Sequence, residues 1–147
     1  MTADTNVLVY AYDLDEPDKQ RMALAAIDRL IELRQPIGLQ AISEFQSALR
    51  RKLKAPIWKA VEQATLLLEA FDHFPPTSTS VAGALTDFGA GHFSYWDALL
   101  VRSAAEHGCT VMFTEDMRSG ARPFGVELVN PFDPDVGAPR ARELLEL

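Results

Sequence analysis

Some features that often define a protein's chemistry or location are missing from this chain of 147 residues. Its single cysteine, Cys109, excludes an internal disulfide. No apolar run reaches the roughly 18 residues that a membrane-spanning helix requires, and the N-terminus lacks the basic, apolar and small-residue succession of a signal peptide. These absences predict a protein that does not bind membranes and favour a cytoplasmic location.

The chain has few histidines, and it has no lysine in its C-terminal half, which argues against several kinds of catalytic site. The three histidines, His73, His92 and His107, lack a motif that pairs them with an activated serine or cysteine, so no nucleophilic triad is expected. With one cysteine and no close histidine pair, the usual ligands of zinc are absent. No lysine follows Lys59, whereas a receiver-type or haloacid-dehalogenase-type phosphoacceptor site generally needs a late lysine to hold the phosphoryl group.

The charge of the chain is unevenly distributed. Fourteen basic residues against 21 acidic ones give a net charge of −7, which as a total argues against a nucleic-acid partner. Residues 45–61, however, contain five basic side chains and no acidic one. Within this stretch Arg50, Arg51, Lys52 and Lys54 are predicted contacts for RNA phosphates, with a solvent-exposed helix face as the alternative interpretation.

The chain contains enough apolar material for one ordinary domain, since 48% of its residues are hydrophobic. Strand-like and helical segments alternate, which predicts an α/β fold: a three-layer α/β/α domain with a central parallel sheet of about five short strands. We predict strands at residues 1–3, 37–39, 74–78, 110–113 and 125–129. The domain is expected to span residues 1–130, with residues 131–147 as a C-terminal extension of it that ends in a brief helix at 140–145.

Four acidic residues stand at the edges of apolar segments: Asp4 in DTNV, Glu44 in AISEF, Asp97 in SYWDALLV and Asp116 in FTEDM. Carboxylate oxygens are the ligands that Mg²⁺ and Mn²⁺ prefer, and a metal offsets the repulsion within such a group. Each acid taken alone also fits a helix cap, a helix-dipole partner or a turn residue. Together the four predict a divalent-metal site.

Local signals place these acids close to one another. A turn at residues 5–6 is predicted to cap the first helix, and Ser43 to cap a helix that puts Glu44 in its first turn. Ser94 is predicted to cap the strongest helix of the chain, with Asp97 in the first turn. Ligands of parallel α/β sheets bind outside the carboxyl ends of the strands. We therefore expect the four acids to converge there.

The order of these motifs resembles that of the PIN-domain ribonucleases, and within them the VapC toxins of bacterial toxin–antitoxin pairs. DTNVLVYA is similar to the opening motif of the family, and SYWDALLVRSAAEHGCTVMFTEDM is similar to its signature block. By this resemblance Asp4, Glu44, Asp97 and Asp116 correspond to the four acids of the family. The resemblance covers most of the chain.

Three further polar residues lie close to these acids in the sequence. The resemblance implies that Asn6 and Thr114 support the site. Glu115 is a weaker candidate than Asp116, because successive side chains at a strand end point to opposite sides.

The activity that the resemblance implies is hydrolysis of RNA phosphodiesters by a metal-dependent endoribonuclease. The four acids would be its catalytic residues and the ligands of Mg²⁺ or Mn²⁺, which activates a water for attack. The resemblance also implies a toxin that forms a homodimer and is inhibited by a cognate antitoxin protein. Two alternatives stay open: a non-catalytic PIN-like scaffold that binds RNA or protein, and a magnesium-dependent phosphoacceptor or phosphatase domain.

Overall fold

Helices and short strands alternate along the chain, and the computed structural model describes all residues from 1 to 147. The strands are β1 (Thr2–Ala3), β2 (Ile37–Gly38), β3 (His73–Phe74), β4 (Val111–Phe113) and β5 (Glu127–Val129). The helices are α1 (Thr5–Tyr10), α2 (Pro17–Glu32), α3 (Leu39–Leu53), α4 (Ile57–Ala70), α5 (Ser78–Gly89), α6 (Tyr95–Glu106) and α7 (Gly137–Leu145). No helix combines the length and the apolar character needed to cross a membrane.

All hydrogen-bonded strand pairs are parallel, which confirms the predicted three-layer α/β/α class. The predicted single sheet is divided into two hydrogen-bonded groups, with strand orders β1-β4-β5 and β2-β3. β1 packs beside β2. Because these two strands have only two residues each, they offer few backbone groups for a ladder between the two groups. The five strands are present, but they do not form one continuous ladder.

Two predicted helix caps are wrong. α3 begins at Leu39, so Ser43 does not cap it; the Ser43 hydroxyl instead donates to the Leu39 carbonyl at 2.8 Å, within the helix. Glu44 consequently lies in the second turn of α3. The first helix is capped by Asp4, whose carboxylate accepts the Thr5 N–H, and not by the turn at residues 5–6. In both cases the strand runs directly into its helix, leaving no loop in which a later cap could act.

The core lies between the strands and the helices packed on them. Ala3 of β1 and Phe113 of β4 are completely buried and stand side by side in the ladder. Gly38 at the end of β2 allows the close approach of neighbouring side chains. A Cβ at this position would lie 2.9 Å from Cδ1 of Leu100 and 3.2 Å from Cε2 of Phe74. These contacts bring α6, which carries Asp97, against the strand that leads into α3.

The C-terminal residues pack on the rest of the chain. Leu145 of α7 is completely buried, and its carbonyl accepts a hydrogen bond of 2.9 Å from Arg29 of α2. α7 begins at Gly137, three residues earlier than predicted. Only a residue without a Cβ fits at this position, since a Cβ would lie 1.8 Å from the Asn130 carbonyl oxygen. The domain boundary at residue 130 stays a prediction.

Candidate metal centre

An open cleft lies at the carboxyl end of the sheet, with a volume of about 260 Å³. All four acids predicted from the sequence line it. The complete lining is Asp4, Thr5, Asn6, Glu44, Ser47, Ala48, Arg51, Lys52, Asp97 and Asp116. β1, α1, α3, α6 and the segment after β4 thus contribute to one polar site, as expected from strand ends that meet at one edge of a parallel sheet.

Asp4 is the most deeply buried of the four acids, with 7% of its surface exposed. One carboxylate oxygen accepts the Thr5 backbone N–H at 2.5 Å, and the other accepts the Thr114 hydroxyl at 2.9 Å. Burial raises the pKa of Asp4 to about 6, against the opposing effect of these two hydrogen bonds. The charges of Asp116 and Asp97 raise it further. Thr114 therefore contacts the site directly, as the resemblance implied.

Asp116 follows β4 and lines the cleft together with Asp97. Burial is the main cause that raises the pKa of Asp116, and the charge of Asp97 adds to it. The Asn6 amide donates a hydrogen bond to the Asp116 carboxylate. The Lys52 ammonium in turn donates to the Asn6 carbonyl oxygen at 2.6 Å. Asn6 thus connects the carboxylate to the one lysine that lines the cleft.

Asp97 lies in the first turn of α6, as predicted. Ser94 caps this helix, and its hydroxyl oxygen accepts the Asp97 backbone N–H at 3.2 Å. The side chain is half-buried. Because the charge of Asp97 raises the pKa values of both Asp4 and Asp116, these three acids form one electrostatically coupled group.

Glu44 stands apart from this group although it lines the same cleft. It is exposed, and its carboxylate accepts the Gln40 side-chain amide at 2.8 Å. The same Gln40 nitrogen donates to the Trp96 carbonyl at 2.8 Å, which connects α3 to the start of α6. The charge of Glu44 is not among the causes that shift the pKa of Asp4 or Asp116.

Comparison with known protein families decides what kind of domain carries this cleft. The family model described as the PIN domain matches residues 1–122. The chain belongs to the PIN-domain family. The matched range includes all four acids, whereas β5 and α7 lie beyond it and complete the sheet and its packing. No curated protein matches the chain. The fold is thus of a nuclease type, and PIN domains typically use divalent metals such as Mg²⁺.

The donors of this PIN domain fit such a metal in their chemistry. Asp4, Asp97 and Asp116 supply hard carboxylate oxygens, and a cation would offset the charge that burial makes unfavourable at Asp4. The carboxylates do not surround a common coordination centre. No three His, Cys, Asp or Glu side chains lie close enough together to hold an ion in their present rotamers. Closing the group would require Glu44, which is exposed and bonded by Gln40, to take another rotamer.

The basic residues predicted for RNA contact are divided by the structure. Arg51 and Lys52 of α3 line the cleft of the PIN domain. Arg50 and Lys54 are exposed outside it, and Lys54 ends α3 in a left-handed conformation, with φ of 56°, while its ammonium donates to the Arg51 carbonyl at 3.1 Å. Residues at i and i+7 share a helix face, so the spacing from Glu44 to Arg51 was a signal for which basic residue enters the cleft.

Sequence reasoning missed the neutral residues Thr5, Ser47 and Ala48, which line the PIN-domain cleft. Ser47 lies one turn after Glu44 on α3 and lines the cleft, so the helical spacing that selects Arg51 also selects this residue. Gln40 was also missed. It lies four residues before Glu44 and orients that side chain. No local signal distinguishes it from any other glutamine.

Proposed function

We propose that this PIN domain is a divalent-metal-dependent endoribonuclease that hydrolyses RNA phosphodiesters. Asp4, Asp97 and Asp116 would hold Mg²⁺ or Mn²⁺, and Glu44 would join them from α3. One observation carries the proposal: the carboxylates of Asp4, Asp97 and Asp116 share a cleft with the basic side chains of Arg51 and Lys52. Acids alone would repel a polyanion, whereas the two basic side chains supply phosphate contacts on the same wall.

The protein's own residues would prepare the site for hydrolysis. Thr114 and the Thr5 N–H hold the Asp4 carboxylate in place, and Asn6 holds Asp116. A bound divalent ion supplies an acidified water and neutralises charge on the phosphate. Lys52 and Arg51 would orient the RNA strand, so that its scissile phosphate lies over the carboxylates.

A covalent mechanism has little support in this cleft. None of the three histidines lines it. His107 stacks on Phe74, with ring centroids 5.0 Å apart, and His73 lies on β3. The hydroxyls of Ser47 and Thr5 line the cleft but lack a neighbouring imidazole to activate them. Direct attack by water agrees better with this set of residues.

We further propose that the nuclease is the toxin of a type II toxin–antitoxin pair of the VapC type, acting in the cytoplasm as a homodimer. The sequence motifs support this subtype. The acidic cleft is complementary to a basic side chain of an antitoxin, so occlusion of the cleft would inhibit the enzyme. Co-expression with the product of the adjacent gene tests the pairing: the partner should co-purify and relieve growth arrest. Light scattering tests the dimer.

The nuclease proposal is tested by cleavage of a defined RNA pool by purified protein. Wild type with Mg²⁺ or Mn²⁺ is compared with the same reaction in EDTA and with Asp97→Asn. Asp28→Asn is the matched control, because Asp28 is an exposed acid of α2 outside the cleft. Cleavage should require both the metal and Asp97, and Asp28→Asn should retain it.

The alternatives predict other results in the same experiment. Binding of RNA without cleavage, unchanged by Asp97→Asn, would favour the non-catalytic scaffold. Release of phosphate from a phosphomonoester, with no cut in the RNA, would favour the phosphatase. Cleavage that persists in EDTA and in Asp97→Asn would contradict the metal-dependent mechanism.

A further inference from the structure

The segment that carries Asp116 has little support from its own backbone. None of the N–H groups of residues 115–119 donates a hydrogen bond to another protein group. The preceding Thr114 N–H still bonds the Val129 carbonyl at 2.9 Å, and Gly120 N–H bonds the Leu128 carbonyl at 2.8 Å. Between these two anchors, side chains must determine where Asp116 lies.

Glu115, immediately before Asp116, is held by two side chains on the side away from the cleft. Its Oε1 accepts the Lys19 ammonium at 2.5 Å, and its Oε2 accepts the Tyr10 hydroxyl at 2.6 Å. The Lys19 ammonium also donates to the Tyr10 hydroxyl at 2.9 Å, which closes a triangle of hydrogen bonds. The Lys19 and Glu115 side chains are only 28% and 27% exposed, so water screens this pair less than a surface pair.

The C-terminal extension holds this triangle from its outer side. The Phe132 ring packs edge-on against the Tyr10 ring, with centroids 4.7 Å apart. The Lys19 ammonium lies 4.5 Å from the Tyr10 ring centroid and 5.7 Å from that of Phe132, within cation–π range. We call Tyr10, Lys19, Glu115 and Phe132 the Glu115 clamp. Its members come from α1, α2, the segment after β4 and the extension.

We propose that the Glu115 clamp positions Asp116 for metal binding. This inference rests on the proposed function. Glu115 is held by Lys19 and Tyr10 and does not line the cleft, whereas the next residue, Asp116, lines it and is bonded there by Asn6. Fixing Glu115 therefore fixes the backbone directly before Asp116 at the bend that carries it. The clamp also keeps a second carboxylate next to Asp116 engaged with Lys19. Tyr10, Lys19 and Phe132 are positioning residues, since they act on the cleft only through Glu115 and touch no predicted metal ligand.

The test measures Mn²⁺ binding by calorimetry without RNA, so that it does not depend on cleavage. Lys19→Met removes the charge at similar length, Lys19→Arg restores it, and Tyr10→Phe removes one hydroxyl while keeping the ring on Phe132. The control is Lys59→Met, an exposed lysine of α4 outside the cleft. Loss of a residue that orients a metal ligand typically weakens metal binding about tenfold or more. We expect that loss in Lys19→Met, a smaller one in Tyr10→Phe, and wild-type affinity in Lys19→Arg and Lys59→Met.

A second measurement examines the clamp in the absence of metal. Backbone ¹⁵N order parameters of residues 115–118 should be near the rigid value of about 0.85 in wild type and fall toward about 0.6 in Lys19→Met. A simple salt bridge between α2 and the loop predicts a different result. It predicts that Lys19→Met lowers the unfolding free energy while the order parameters and the Mn²⁺ affinity stay unchanged, and that result would overturn the proposal.

The two measurements also separate the clamp from the proposed function. If wild type binds Mn²⁺ and Lys19→Met binds it equally well, the clamp proposal is wrong and the nuclease proposal stands. If wild type binds no Mn²⁺, the proposed function fails and the metal-positioning role fails with it, whatever the order parameters show. Weaker Mn²⁺ binding together with lower order parameters, both restored by Lys19→Arg, supports the clamp.

Discussion

Replacing Asp4 with asparagine should stabilise the metal-free protein at neutral pH. The Asp4 carboxyl is buried beside two other acids, which raises its pKa from 3.8 to about 6. Ionisation of Asp4 therefore lowers the free energy of unfolding. Asparagine has nearly the same shape, its oxygen can accept the Thr5 N–H, and its amide can donate to the Thr114 hydroxyl, yet it carries no charge.

The size and sign of the effect follow from the pKa of Asp4. A change from 3.8 in the unfolded chain to about 6 in the folded one, at about 1.36 kcal/mol per pKa unit, corresponds to about 3 kcal/mol. Because the folded protein binds the proton more tightly, the contribution of protonated Asp4 to stability is complete below pH 3.8. It is lost as the pH rises to about 6 and beyond. The variant does not lose stability in this way, because its asparagine side chain does not titrate.

Urea unfolding in EDTA at about pH 4 and about pH 7.5 measures this difference. The unfolding free energy of Asp4→Asn, relative to wild type, should be higher by roughly 2.5 kcal/mol at the upper pH than at the lower, because part of the contribution of Asp4 is already lost at pH 4. The contributions of the other titrating groups largely cancel in this difference, because both proteins contain the same groups. The exposed Asp28→Asn should show almost no change relative to wild type.

Adding Mn²⁺ should reverse the order of stability. A metal that binds only the folded state adds about 4.1 kcal/mol at roughly 1,000 times its Kd, which exceeds the advantage of about 3 kcal/mol that Asp4→Asn has without metal; wild type should gain this while Asp4→Asn gains little. A stability difference between the two proteins that does not vary with pH would refute the reasoning, since it would mean that the buried carboxyl carries no charge-dependent cost.

Three further changes probe the site and the fold. Asp97→Asn should lower RNA cleavage by roughly a hundredfold or more while leaving the circular dichroism spectrum unchanged, because a metal ligand is lost from an otherwise intact helix start. Lys52→Met should weaken binding of single-stranded RNA and reduce the slope of log K against log salt by about 0.7, the value for one phosphate contact; an unchanged slope would place Lys52 outside the RNA path. Gly38→Ala should lower the unfolding free energy by about 1–3 kcal/mol in urea titrations, because the added Cβ would lie 2.9 Å from Leu100; wild-type stability would show that Leu100 moves aside at little cost.

Much of the fold could be predicted because its signals are local. The cap at Ser94, the following apolar stripe and the β-branched strand near residue 111 each depend on residues within one or two turns. Local signals were insufficient at α3. There Gly38 precedes the helix without a side-chain cap, so the local pattern favours the next serine, Ser43, as the cap and predicts Glu44 one turn too early in the helix.

The convergence of the acids was predictable because topology enforces it. Parallel strands connected by crossovers bring their carboxyl ends to one edge, so Asp4 and Asp116, which follow the paired strands β1 and β4, are neighbours although they lie far apart in the sequence. Glu44 and Asp97 reach the same edge from α3 and α6. Their individual states could not be predicted in this way. The deep burial of Asp4 and the hydrogen bond that Gln40 donates to the exposed Glu44 depend on the folded chain.

The sequence by itself determined the α/β class, the order of the elements and the residue types that meet at the cleft, because periodicity, caps and topology rules act on local patterns. Only the tertiary structure decided the raised pKa of Asp4, the entry of Lys52 into the cleft and its bond to Asn6, and the Glu115 clamp. The clamp joins Glu115 to residues 96 and 105 positions earlier in the chain. Contacts of that range, and the exclusion of water around them, exist only once the chain has folded.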